Sequence, residues 1–433
     1  MNRAIWLLVF FSGPAIAALP ESLTVEEALA LSRQHRPALK SARAQVEAAE
    51  ARARQALAPL LPSVSLNLGY SRSTGNFVAR PGAVPQDVDR LSTLSLTARD
   101  YFTGGLQVNA TLWDFGQSWH RYQASLSAAQ AQEAQERSQQ RVSDYTVRTL
   151  FFAAASQREL VEINRAALEN NEARFAQVEG MVKVGTRPEI DLAQAKADRA
   201  NAKLALLNAK NGYAVARARV TQALGVDAPP TWNVVQGEPL AVNDEAQQVT
   251  ALMPEALTAR PEEAAIRAQL EAQERTLRGI RGAYLPSLGL QLGGTLASRQ
   301  LPTIVPNLSA QLTLDWALYE GGLTVAQERE GEATLRQLRA QQEELTLLVQ
   351  FELQAALLDV AAAKDAVEVA ADATAAAREK LRLAEGRYRA GAGSALELSD
   401  AQVTATQAEG QEVQAKFTLA SARAALVAAL GRT

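Results

Sequence analysis

The chain repeats itself at long range. Arg36-Pro37 recurs as Arg260-Pro261 and Leu61-Pro62-Ser63 as Leu285-Pro286-Ser287, both at one common offset. Farther along, Leu112-Trp113-Asp114-Phe115-Gly116 aligns with Leu318-Tyr319-Glu320-Gly321-Gly322, Gly185 with Gly391, and Leu224-Gly225 with Leu430-Gly431, all at a second, shorter offset. A single deletion between Ser287 and Leu318 accounts for both offsets. Repeats of about 200 residues mean duplication of a whole supersecondary unit, not a short-period solenoid. The expected organisation is a first repeat over residues 18–225, a Pro-rich linker over 226–249 and a second repeat over 250–433.

Each repeat reads in one order. A helical stretch comes first, Thr24 to Leu57 or Val249 to Arg281, and Thr24 with Glu27 fits a capping box. Period-2 segments follow. Val64, Leu66, Leu68 and Tyr70 alternate with Ser63, Ser65, Asn67 and Gly69, and the return segment alternates likewise from Leu106 to Leu112. The second repeat does the same at Leu288–Leu292 and Leu308–Leu318. Four amphipathic strands are therefore expected, at about 63–72, 105–114, 287–296 and 307–318. Ser73 to Gly104 and Arg299 to Pro306 read as their loops. About ten residues is the length of a tilted strand across an outer membrane.

Helix then resumes without a stop. Gln117 to Lys183 and Leu323 to Arg389 each hold 67 residues, about 100 Å of helix. Globular helices seldom exceed about 20 residues, so these must be coiled-coil-like. A seam of Val142, Tyr145, Thr149, Phe152, Ser156, Leu160 and Ile163 fits. Gly185-Thr186-Arg187-Pro188 and Gly391-Ala392-Gly393 end the long helices, and shorter ones follow at 189–224 and 395–430. Two half-length helices in line would match one long helix.

Composition excludes much. A net charge of −3 offers no basic surface for nucleic acid, and no Cys means no thiolate metal site, Cys nucleophile or lipidated Cys. The only histidines, His35 and His120, are far apart, and no phosphate-binding Gly loop or Gly-x-Ser-x-Gly occurs. No enzyme, catalytic residue, metal site or cofactor is expected. Arg3, the apolar run Ala4–Phe11 and Ala15-Ile16-Ala17 read as a secretory signal over residues 1–17. Four strands cannot close a barrel, and open edges are not tolerated in lipid, so several chains would have to share one barrel. The residues alone leave a second reading open: a soluble periplasmic coiled-coil scaffold without a pore.

The doubled helix–hairpin–long helix–short helix order resembles the TolC-like outer-membrane efflux proteins over essentially the whole chain after residue 17. Leu60-Leu61-Pro62-Ser63 and Tyr284-Leu285-Pro286-Ser287 before the strands carry that resemblance, as do "LWDFGQ" and "LYEGGL" at the returns to helix and the tips "VGT" and "AGA". It implies a mostly α fold with a membrane β-barrel portion: a homotrimer with four strands per chain in a shared barrel in outer-membrane lipid. Long helices would form an α-barrel tunnel across the periplasm of a Gram-negative cell. The duct would be passive, working with a periplasmic adaptor and an inner-membrane pump or ABC transporter in efflux or type I secretion.

Site residues are implied position by position. The adaptor-docking tips would be Val184, Gly185, Thr186, Ala390, Gly391 and Ala392. Glu397 and Asp400 match the acidic ring at the periplasmic constriction, and three copies would place six carboxylates around one pore. Taken alone, they would be ordinary acids near a helix N-terminus. Tyr388 and Asp191 match a link that holds the tunnel shut. The family pattern also has an arginine two residues after the second-tip glycine; Gly393 stands there, and Arg187 holds the corresponding place in the first tip.

Overall fold

The structure, a computed structural model, describes residues 20–73, 98–235, 242, 245–298 and 304–432. The expected signal segment and most of the loop between the first two strands lie outside the described residues. Two compact units form, one from Val46–Gln132 with Ile266–Gln341, the other from the segment up to Gln45 with Glu133–Ala265 and Gln342–Thr433. Each draws on both halves of the sequence.

The first of these units holds a four-stranded antiparallel sheet. Its strands are β2 (Ser63–Ser73), β3 (Arg99–Trp113), β5 (Ser287–Ser298) and β6 (Val305–Asp315), in the order β2-β3-β5-β6. Register decides what the sheet presents, because residues directly opposite share a face. Leu66 lies opposite Leu106, Leu106 opposite Gly294 and Gly294 opposite Leu308. The next apolar row is Val64, Val108, Leu292 and Ala310. One face is thus apolar across all four strands, and the other carries Ser65, Asn67, Gln107, Asn109, Gln291, Gln311 and Thr313. The apolar face is bare: Leu68 is 79% and Leu308 86% exposed. Among the described residues β2 and β6 each pair on one side only, so both edges are open.

Two strand limits differ from the sequence reading. β3 begins at Arg99, not near 105. The sequence reading ends the loop at Gly104, but the Tyr70 and Phe102 rings lie 5.0 Å apart and the Tyr70 hydroxyl donates to Asp100 at 2.8 Å, extending the pairing beyond Gly104 and Gly105. β6 ends at Asp315 instead of Leu318, and the Trp316 indole donates to the Tyr284 carbonyl at 3.1 Å. The chain turns into helix through left-handed residues, Phe115 and Gly116 (φ 51° and 81°) in one place and Gly321 and Gly322 (65° and 83°) in the other. The Asp114 carboxylate accepts from the Gly116 and Ser118 amides at 3.1 and 2.8 Å and caps the first of these turns.

The long helices are α3 (Gln117–Lys183) and α7 (Leu323–Arg389); α4 (Glu189–Leu224) and α8 (Ala395–Ala429) follow them. The leading helix is not continuous in either half. It splits into α1 (Val25–His35) and α2 (Pro37–Leu57), and into α5 (Val249–Ala259) and α6 (Pro261–Gly282). Arg36 and Arg260 take extended backbone (ψ 121° and 125°), because proline disfavours helical geometry in the residue before it. The capping box at Thr24 forms, with Thr24 Oγ1 and Glu27 exchanging bonds.

In this second unit the breaks are packing sites. A Cβ on Gly225 would lie 2.7 Å from Arg36 Cα, and one on Gly431 2.9 Å from the Ala259 carbonyl carbon. Both glycines have φ above 70°. The repeated Leu-Gly and Arg-Pro pairs therefore meet, backbone against backbone. Arg260, 2% exposed, donates to the Ala429 carbonyl at 2.8 Å and to Glu352 at 2.6 Å. Arg33 grips the buried Asp144 at 2.7 Å. The 226–249 stretch also holds structure that its prolines conceal. β1 (Ser22–Leu23) pairs in parallel with β4 (Asn233–Val234), and buried Trp232 stacks on Phe151 at 6.3 Å while its indole donates to Thr221 at 3.0 Å. The seam on α3 forms in part: Ser156 is buried and Phe152, Leu160 and Ile163 pack against the core, but Val147, Phe151, Ala154 and Val161 are buried beside them, while Val142 and Tyr145 are exposed. Paired Ser143 and Asp144 take buried positions there that an apolar count overlooks.

Candidate functional site: the two helix reversals

Both long helices end in one hydrogen-bond pattern. Thr186 N–H donates to the Met181 carbonyl at 3.0 Å and Gly185 N–H to Val182 at 3.0 Å. Ala392 repeats this toward Arg387 at 2.9 Å and Gly391 toward Tyr388 at 3.1 Å. These are Schellman ends, with glycine at the left-handed position (φ 75° in both). Pro188 and Ser394 then open the next helices, and the Ser394 hydroxyl accepts from Glu397 N–H at 3.1 Å. Val184, Gly185, Thr186, Ala390, Gly391 and Ala392 are all exposed. Val184 is 74% and Leu396 70% exposed, so the reversals present bare apolar side chains beside open backbone.

The expected latch residues come together, but not through the expected bond. Tyr388 is 5% exposed and its hydroxyl makes no hydrogen bond. Arg187 does the joining. Its guanidinium lies 4.5 Å from the Tyr388 ring centroid, donates to the Tyr388 carbonyl at 3.2 Å and pairs with Asp191 at 3.7 Å. Arg187 therefore connects the first reversal to the second. Gly393 has a steric reason as well: a Cβ there would sit 3.1 Å from the Tyr388 amide nitrogen and 3.2 Å from the Arg387 carbonyl carbon. A side chain at 393 would require the Arg387–Tyr388 backbone to give by a few tenths of an ångström.

Sequence reasoning missed Arg174. It is 6% exposed, donates to Gln402 at 3.0 Å and to the Ala395 carbonyl at 2.9 Å, pairs with Asp198 at 3.6 Å and lies 5.6 Å from the Tyr388 ring. It thus ties α3 to α4, α7 and α8 just behind the reversals. The repeat could have found it, since Arg174 precedes Gly185 by the same separation as Lys380 precedes Gly391. Near Arg174 a cleft of about 290 Å³ between α3, α4 and α8 is lined by Asn164, Asn171, Asn201, Ser399, Gln402 and Gln407. Ala167, Ala202, Ala205 and Val403 also line it, so the wall mixes polar and apolar side chains.

Glu397 and Asp400 lie on one face of α8, as their i, i+3 spacing requires. Each faces a base on α7. Lys380 Nζ is 2.8 Å from Asp400, and Arg387 is 3.6 Å from Glu397.

Comparison with known proteins agrees with this architecture. The family described as "Outer membrane efflux protein" matches residues 28–226 and 252–432. The chain is 26% identical over 356 residues to outer membrane efflux protein BepC of Brucella suis biovar 1, covering 80% of this chain and 75% of that protein. It is 28% identical over 426 residues to protein CyaE of Bordetella pertussis, covering 95% and 84%. The outer membrane protein VceC from Vibrio cholerae superposes with a TM-score of 0.79 at 19% identity, over 94% of this chain and 96% of that one, a likeness of fold. The matched segments take in the long helices, the four-stranded sheet and both reversals, and the chain belongs to the outer membrane efflux protein family.

Proposed function

We propose that this efflux-family chain is one protomer of a homotrimeric channel-tunnel, built from a duplicated unit, that spans the outer membrane of a Gram-negative cell. The observation that carries this is the sheet, with an apolar face across four strands, a polar face behind it and two open edges. An apolar face this bare needs lipid, and open edges in lipid need partners. Three copies would supply twelve strands, enough to close a barrel around a polar lumen. The dimensions agree. Phe102 and Trp113 are aromatic residues near the two ends of β3. The strand between them is about 36 Å long, or roughly 26 Å of depth at a tilt of about 45°, close to the apolar band of an outer-membrane barrel.

In this reading α3, α4, α7 and α8 continue as a periplasmic tunnel, and the duct is passive. The exposed reversals, residues 184–186 and 390–392, dock a periplasmic adaptor tied to an inner-membrane pump or ABC transporter. Arg187, Tyr388 and Asp191 hold the tunnel closed, and Glu397 and Asp400 line its entrance. The arrangement serves efflux and type I secretion alike. The direct test is extraction and mass. The protein should need detergent to leave membranes and then run at three times the 46.4 kDa chain mass, less the signal segment. Release into plain buffer, or a monomer in mild detergent, would overturn it.

A further inference from the structure

An acidic entrance ring should make a duct prefer cations. The bases facing these acids change that expectation. Lys380 lies 2.8 Å from Asp400, and Arg387 lies 3.6 Å from Glu397. Lys380 also reaches the Thr404 hydroxyl at 3.5 Å. All four side chains are more than a third exposed, so none is a buried structural pair. Their charges are open to solvent in the single chain. Across residues 379–400, Lys380, Arg382, Arg387 and Arg389 balance Glu379, Glu385, Glu397 and Asp400. The first reversal balances its charges too, with Arg174, Lys183 and Arg187 against Glu179, Glu189 and Asp191 across residues 173–194, but it lacks these two facing pairs, because the first-repeat counterparts of Arg387 and Asp400 are Met181 and Gln194.

We infer that Lys380 and Arg387 are selectivity-determining residues that neutralise Asp400 and Glu397, leaving the periplasmic entrance charge-compensated instead of cation-selective. This rests on the channel reading above and on Glu397 and Asp400 facing the pore. The compensation acts at a few ångströms, well inside the screening length of about 8 Å at physiological salt. It therefore persists under ordinary ionic conditions. An entrance of this kind passes anionic and zwitterionic cargo without the repulsion that a bare carboxylate ring would impose.

The test is the reversal potential of the full-length protein in planar bilayers under a potassium chloride gradient. Wild type should pass potassium and chloride with a permeability ratio within about twofold of unity. The pair Lys380→Gln with Arg387→Gln should raise the ratio toward potassium by about fivefold, and Glu397→Gln with Asp400→Asn should shift it toward chloride. Lys380→Arg with Arg387→Lys keeps the charges and should keep wild-type selectivity, which separates charge from packing. A strongly cation-selective wild type that the Gln pair leaves unchanged overturns the inference. If only the acid variants shift, the ring reading stands and the compensation fails. If neither set shifts, the ring reading fails and the inference with it. No conductance from any variant refutes the channel reading.

Discussion

Gly225 and Gly185 share nearly the same backbone, φ 72° and 75°, in different surroundings. A Cβ at Gly185 meets nothing within 4 Å. At Gly225 it would meet Arg36 Cα at 2.7 Å and Pro37 Cδ at 2.8 Å. Alanine at Gly185 bears only the left-handed penalty, roughly 1–2 kcal/mol. Alanine at Gly225 bears that and an overpacking term of about 1–3 kcal/mol, because the contact is backbone and cannot rotate away. The difference corresponds to about 5-fold to 150-fold in a local opening constant. Amide hydrogen exchange of the detergent-solubilised protein reads this directly. Gly225→Ala should lower protection at the ends of α4 and α1 and the start of α2. Gly185→Ala should lower it less, and only at the reversal. Equal effects would refute the claim that the Leu-Gly and Arg-Pro repeats exist to let two backbones touch.

Three other perturbations follow from particular contacts. Tyr388→Phe should leave closure unchanged, because the hydroxyl it removes has no partner, whereas Arg187→Ala loses a ring contact worth about 1–2 kcal/mol and should raise conductance; the reverse order would restore a direct Tyr388–Asp191 bond. Leu308→Arg, on the apolar face, should cost about 2–4 kcal/mol of membrane assembly, while Gln311→Arg on the opposite face should assemble normally, as trimer yield in outer-membrane fractions would show. Burial alone would raise the Glu262 carboxyl, but bonds from Ser138 and Arg141 outweigh it and hold it below its ordinary value. Its folded value is depressed, so its contribution is present above the ordinary value and lost as pH falls through the folded one. Exchange protection where α6 meets α3 should therefore fall as the pH drops below the ordinary carboxylate range, and Glu262→Gln should flatten that dependence.

The elements legible in the sequence are those whose period is uninterrupted. Leu and Val alternating with Ser, Asn and Gln mark the strands, and the tip glycines mark the ends of the 67-residue helices. Legibility fails where one residue does two jobs. Gly104-Gly105 lies inside β3 because glycines fit a paired strand as readily as a loop. Pro37 and Pro261 sit at permitted first helical positions, yet each breaks the helix before it. Trp232 and the β1–β4 pairing hide in a Pro-rich stretch, since the core they join is supplied by residues as distant as Leu23, Phe151 and Phe417. At the reversals, backbone geometry makes the glycines readable. Lys380 and Arg387 are not, because a charged residue on a long helix looks solvated until its partner on another helix is known; for Arg174 the repeat alone gives a signal, through its match to Lys380.

The measurement that bears most directly on the central account is single-channel recording of the purified protein in a planar bilayer. The account predicts discrete, long-lived conductance steps of low amplitude from a trimer, rising when Arg187 is replaced by alanine and the closed reversals separate. A protein that inserts no channels, or whose conductance is the same with Arg187 and without it, would contradict a duct closed at its helix reversals.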